Sequence, residues 1–404
     1  MYSSFLFLLL VFLIPNTAPE PITSIPLIFA LLTAISTLLL IAFQNRIIKL
    51  PKNQMHFLAN GELITCLVLI FFTFGPQRLL EQFHFYEFTV TLFSVLFYFT
   101  GIALFHYTST HLHRKAAYHY AINHILFLLP FALPFLLFLF LMDLLATFNP
   151  LLMIVVALFF MSAVTIFFPA LIQRIWQCTP LSDLDPLLAE RLELCCQKAK
   201  FRHAGLKIWT LMNDSITAAI MGIIPRFRYI MFTKRLLGAL SPDSIEAVLV
   251  HEMGHAYHRH LLFYPFIMLG MVACLSLVVV VFEPVLPSII FFILYAGTIW
   301  IYFRLVFGFF SRHFERQADV YVCKLDIPAQ HMINALHEVA VASGNTHRVP
   351  SWHHYSIQER IDFLKQAEHN PEVTVEHDRF VKKCLWIYLL FFIPLFILIF
   401  LIPA

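Results

Sequence analysis

The sequence predicts a mainly α, polytopic helical membrane protein of eight or nine spans, with a small α+β domain at the membrane surface. Three observations carry this. The 404 residues are 60% hydrophobic, with mean hydropathy +0.79. Only 13% are charged, where a soluble globular domain has roughly a quarter. The apolar residues also fall in runs of spanning length, interrupted by two polar segments, 173–260 and 311–383. The net charge of +3 gives no case for nucleic acid as a partner. The seven cysteines (Cys66, Cys178, Cys195, Cys196, Cys274, Cys323, Cys384) are scattered, odd in number and form no C-x-x-C, so they read as structural thiols.

Taken in order, Phe5–Ile14 is apolar but short and reads as a first span or a signal segment. Ile25–Phe43 is a clear span. Phe57–Phe74 is a weaker one because it contains Glu62, an acid that faces either a cavity or a helix end. Thr89–Phe105 spans again, and Ile125–Phe148 and Leu151–Ile172 form a hairpin about the turn Asn149-Pro150, with Asp143 near a span end. The N-terminal membrane region therefore covers 1–172. Two further spans, Leu261–Phe282 and Leu286–Phe303, make a hairpin region 261–310 between the polar segments, and Leu385–Ile402 within 384–404 closes the chain. The basic loops alternate, which puts the loops at 44–56 and 106–124, both polar segments and Lys382-Lys383 on the cytoplasmic side. A bacterial inner (cytoplasmic) membrane is the expected setting, with a eukaryotic internal membrane as the second choice. The lipid bilayer is then one partner and a peptide or membrane-protein substrate the other.

Within the first polar segment, Phe227–Phe232 is strand-like and precedes a well-marked helix start. Ser241 is a good N-cap, Pro242 suits the first helical position, and Asp243 complements the positive end of the helix dipole. The apolar run that follows carries His251-Glu252-Met253-Gly254-His255, the H-E-x-x-H pattern. Four residues apart on one helix face, His251 and His255 can share one metal, and Glu252 stands beside them to take a proton from a water. With 20 His in the chain the motif alone can arise by chance, so the third ligand matters. The best candidate is Glu315 in Ser311-Arg312-His313-Phe314-Glu315-Arg316-Gln317-Ala318-Asp319. A helix there puts Glu315 and Asp319 on one face, the first as ligand, the second as acceptor from a ligand imidazole. Taken alone, this stretch reads as a solvated helix with charges of both signs.

The H-E-x-x-H, followed about 60 residues later by S-R-x-x-E-x-x-A-D, resembles the membrane gluzincin metallopeptidases, comprising the HtpX heat-shock protease and CAAX prenyl protease 1 types. The resemblance runs roughly from Thr210 to Leu364 and implies a zincin-like catalytic domain. It implies one Zn²⁺ per chain on His251, His255 and Glu315, Glu252 as general base, and Asp319 behind the ligands. His354-Tyr355-Ser356-Ile357-Gln358-Glu359-Arg360-Ile361 is similar to the family's H-P-S-x-x-x-R-I, with tyrosine where the family has proline. By that resemblance His354 helps stabilise an oxyanion and Arg360 is a buried charge; the adjacent His353 is the alternative histidine. Family members also carry N-A-x-x-x-G on an edge strand where peptide substrate pairs. Here the segment is Thr217-Ala218-Ala219-Ile220-Met221-Gly222, with threonine for asparagine, while Asn213 and Asp214 lie out of register.

The expected activity is hydrolysis of peptide bonds in membrane-associated proteins or peptides by an integral-membrane zinc endopeptidase. Other readings are a CAAX-type prenyl-protein protease specifically, a protease that cuts one signalling partner, or an inactive scaffold or transporter that keeps the fold. The histidines at 258 and 260 read as polar residues at the helix-to-membrane boundary, with His258 alternatively a ligand or proton shuttle. Those of the 106–124 loop (His106, His111, His113, His119, His124) read as an interfacial polar belt in preference to a metal site.

Overall fold

The structure, a computed structural model, describes the chain apart from residues 1–6, 9, 13, 15–26, 48–51, 72–84, 109–113, 149, 213–214, 283, 326, 349–353 and 402–404. The Phe5–Ile14 segment is thus only partly among the described residues, and His111, His113, Asn213, Asp214 and His353 lie outside them. The chain divides into two compact units, 1–164 with 286–293, and 165–285 with 294–404.

Among its described residues, the first unit is built from helices. Its elements are α1 (Leu27–Ile47), α2 (Lys52–Leu69), α3 (Tyr86–Thr108), α4 (Arg114–Leu145) and most of α5 (Pro150–Ile175). Helix α3 packs against α1, α2 and α4, burying Val95, Tyr98, Ile102 and Phe105. Two polar contacts fix the packing. The Tyr98 hydroxyl donates to Asn60 Oδ1 at 2.5 Å, and Asp143 Oδ2 accepts from the Phe88 amide at 2.9 Å, satisfying an orphan donor in the first turn of α3. Glu62 is answered locally as well, accepting from Gln44 Nε2 at 2.5 Å.

Among the described residues, five helices are long and apolar enough to cross a membrane: 86–108, 115–145, 155–175, 260–282 and 290–325. The shorter apolar helix 29–44 falls in the expected second span, and the weak span with Glu62 overlaps α2. The chain is a polytopic helical membrane protein with a small sheet.

The second unit holds that sheet and the zinc-motif helix. It begins with β1 (Thr179–Pro180), α6 (Pro186–Lys198), β2 (Gly205–Ile208), β3 (Ala218–Met221), β4 (Tyr229–Phe232), α7 (Lys234–Ala239) and α8 (Pro242–Tyr257). The strand order is β1-β2-β4-β3, with β2 parallel to β4 and β3 antiparallel to it, so β3 is an edge strand. Ile208, Ile220, Ile230 and Phe232 turn into one core with Leu249, Val250 and Met253 of α8. As the sequence indicates, Ser241 caps α8 with Pro242 at its first position. Arg191 of α6 clamps the same turn, its guanidinium reaching Asp243 at 2.5 Å and Glu246 at 2.7 Å.

The chain then runs through α9 (His260–Phe282) and α10 (Ser288–Tyr302) before α11 (Gly308–Asp319), α12 (Ala329–Ala342), α13 (Ile357–His369) and α14 (Pro371–Leu401). Gly270 of α9 leaves room for two phenols: the Tyr302 hydroxyl donates to the Ile267 carbonyl at 2.6 Å and accepts from the Tyr388 hydroxyl at 2.7 Å. Gly254 of α8 faces the backbone of α11, and a Cβ there would lie 2.9 Å from Ala318 Cα. Helix backbone cannot retreat as a flexible side chain does. Gly254→Ala is therefore expected to push α11 away and destabilise the fold by about 1–3 kcal/mol. Its signature would be a lower unfolding midpoint in detergent together with reduced metal content.

Candidate metal centre and active site

Helices α8 and α11 cross at Gly254 with their functional faces towards each other. His251 and His255, one turn apart, bring their Nε2 atoms to 3.3 Å. Glu315 approaches from α11, with Oε2 3.5 Å from His251 Nε2 and Oε1 3.5 Å from His255 Nε2. These three are buried, and they form one of two clusters of metal-ligating side chains among the described residues. Two imidazoles and a carboxylate, all converging, are the donor set of a hydrolytic zinc site with room for a further ligand. The residues fit that ion. Glu252, next to His251, is also buried. His258 is outside this cluster; burial pushes its imidazole down to about 4, so it stays neutral.

Each ligand histidine is oriented from behind. His251 Nδ1 lies 2.9 Å from Asp319 Oδ1. Arg360 closes a fork on the same carboxylate, Nε to Oδ2 at 2.8 Å and an NH₂ group to Oδ1 at 2.6 Å, and comes within 3.4 Å of Glu315. Burial works against the charge on His251, yet the bond to Asp319 and the charge of Glu315 prevail and raise its pKa. Arg360 likewise loses solvation but is held charged by Asp319, then by Glu315 and Glu252. It reaches them because Ser356 and Glu359 form a capping box, Ser356 N donating to Glu359 Oε2 at 2.8 Å, which starts α13 just before Arg360. Tyr355, the departure from the family proline, lays its ring under the Arg316 guanidinium at 3.8 Å.

Behind His255 stands a relay that the sequence reading missed. His255 Nδ1 lies 3.0 Å from His260 Nδ1, His260 Nε2 lies 3.0 Å from Gln317 Oε1, and Gln317 Nε2 donates to Asp378 Oδ1 at 2.7 Å. Protonation follows from the far end. The Asp378 carboxylate only accepts, so Gln317 presents its NH₂ there and its oxygen to His260. Neutral His260 must then donate from Nε2 and accept at Nδ1, which fixes the proton of His255 on Nδ1. The lone pair of His255 Nε2 is left facing His251 and Glu315. His260, read from the sequence as a boundary residue, is instead buried and stacked on Phe314 with ring centroids 4.1 Å apart. No local motif signals it, because Gln317, which fixes its tautomer, lies 57 residues away.

The remaining candidates fall around this centre. His354 Nδ1 lies 3.3 Å from Glu315 Oε2, with the side chain 39% exposed, so it borders the site from its open side. Thr217 and Gly222 flank β3, which packs against α8. Thr217 Oγ1 donates to the Ala218 carbonyl, and Gly222 takes φ +103 where a Cβ would meet Arg228 Cα at 2.9 Å.

Crossed helices, a buried His₂Glu set and an edge strand beside it, in a polytopic helical chain, form the arrangement that the resemblance to membrane gluzincin metallopeptidases implies. Residues 183–368 match the model of peptidase family M48. Among solved structures, the chain is similar to the crystal structure of S. mikatae Ste24p. The two are 21% identical with a TM-score of 0.57, over 85% of this chain and 100% of that one, which shows a shared fold. No curated protein sequence matches the chain.

The relay predicts a specific effect. His260→Ala is expected to weaken zinc binding about 10–100-fold while leaving the sheet and membrane helices intact. Chelator competition on the purified protein would measure this, with circular dichroism as the control for folding.

Proposed function

We propose that the chain is a zinc metalloendopeptidase that cuts membrane-associated proteins or peptides. The observation that carries the reading is the convergence of His251, His255 and Glu315 beside a buried Glu252. A zinc ion held by those three would supply a Lewis acid that polarises the scissile carbonyl and acidifies water. The remaining work falls to the chain's own groups. Glu252 takes a proton from the attacking water and returns it to the leaving amine. His354, at the open side, donates to the oxygen that gains charge. Asp319 and Arg360 hold His251, and the His260 relay holds His255, so little reorganises during turnover.

An extended substrate pairing with the free side of β3 would bring its backbone alongside α8; Thr217, Ala218 and Gly222 bound that edge. The Thr217 hydroxyl, turned onto its neighbour's carbonyl, leaves anchoring to the backbone. The alternation of basic loops supports a catalytic domain on the cytoplasmic side, and we place the protein in a bacterial inner membrane.

Two substitutions test these roles. Glu252→Gln should reduce casein or peptide cleavage by about 10²–10⁴ and still retain zinc. Undiminished cleavage by that variant would sink the general-base assignment. His354→Ala should lower kcat by about 10²–10³ with little change in KM or metal content, and a loss seen only in KM would assign it to binding. A farnesylated CAAX peptide run beside casein would separate the prenyl-protein protease from a broader peptidase.

A further inference from the structure

The second cluster of metal-ligating side chains among the described residues is His56, His106 and His124, contributed by α2, α3 and α4 of the first unit. We propose that these three imidazoles form a second metal site, separate from the peptidase centre, that takes a divalent transition ion of the zinc class and fastens the three helices together.

The catalytic pair provides the yardstick. Its Nε2 atoms stand 3.3 Å apart with ring centroids at 4.9 Å. In the second cluster, His124 Nδ1 stands 3.2 Å from His106 Nε2 and 3.4 Å from His56 Nε2, with ring centroids at 5.4 and 5.0 Å. All three ligand nitrogens lie within 4.8 Å of one another. Nitrogens bound to one tetrahedral ion at ~2.1 Å are separated by roughly 3.4 Å, close to the two spacings measured from His124. His106 and His124 are each 5% exposed, so crowding three imidazoles here forgoes hydration. One His124 nitrogen facing two others cannot bond well to both, whereas a shared cation satisfies all three. The set contains no carboxylate or thiolate, which disfavours magnesium and calcium and suits zinc, cobalt, nickel or copper.

Behind His56, Asn60 Nδ2 lies 2.9 Å from Nδ1 and 2.6 Å from the His56 carbonyl, while Asn60 Oδ1 accepts from Tyr98. A ligating His56 carries its proton on Nδ1, so Asn60 must turn its amide to present oxygen there. Tyr98 can follow because a hydroxyl accepts as well as donates. That rearrangement, and the bond it gives up, make this the weaker of the two sites.

The test uses the full-length protein in detergent, dialysed against Zn²⁺, with bound metal counted by mass spectrometry and Co²⁺ substituted for its visible spectrum. Wild type should hold two equivalents, the second released by at least about tenfold less chelator than the first. His251→Ala/His255→Ala, which dismantles the catalytic set, should keep one equivalent, with the Co²⁺ spectrum of an all-nitrogen site. Adding His106→Gln and His124→Gln should remove it. One equivalent in wild type and none in His251→Ala/His255→Ala would overturn the proposal and leave the trio as a hydrogen-bonded packing cluster. That comparison decides the matter even if the His106/His124 variant fails to fold.

Discussion

The centre depends on the buried carboxylate of Asp319. It is fully inaccessible, and a charge there is tolerable only because Arg360 neutralises it through a two-pronged contact while His251 takes up its remaining acceptor capacity. The three groups come from α11, α13 and α8, so one ion-pair network fixes the angle of a candidate metal ligand and the mutual packing of three helices. Removing either charge would leave the other stranded in a dry interior. Metal geometry and fold are therefore coupled in this domain.

The two ligand histidines are held by different chemistry. His251 leans on a full negative charge, whereas His255 leans on a neutral relay that ends, two side chains later, on Asp378. The first arrangement strengthens an imidazole as a donor; the second fixes its tautomer with little added charge. Between them they orient both rings without placing two carboxylates against one ion that already has Glu315. Gly254 makes the arrangement possible, since only a residue without a Cβ lets α8 and α11 approach closely enough.

Much of this was legible in the sequence because it is local. Ser241 and Pro242 mark the start of α8, the spacing of His251 and His255 puts them on one face, and the spacing of Glu315 and Asp319 does the same for α11. The strand before α8 is equally short-range. What was not legible is contact between side chains distant in sequence. His260 looks like a membrane-boundary residue until Gln317 and Asp378 are seen beside it. His106 and His124 belong to one histidine-rich stretch, but the partner that groups them, His56, sits on another helix. Glu62, ambiguous as an acid in an apolar run, is answered by Gln44 through helix packing. Periodicity and capping report each helix; they carry no information on which helices meet.

The order of parts along the chain has a consequence for biosynthesis. His251 and His255 precede the membrane segments α9 and α10, while Glu315, Asp319, Arg360 and Asp378 all follow them. A nascent chain that has emitted the zinc-motif helix has neither its third ligand nor any of the groups that orient the first two. The centre is completed only after two more hydrophobic segments have left the ribosome. The order of translation thus delays assembly of the candidate centre until both halves of its domain have been made.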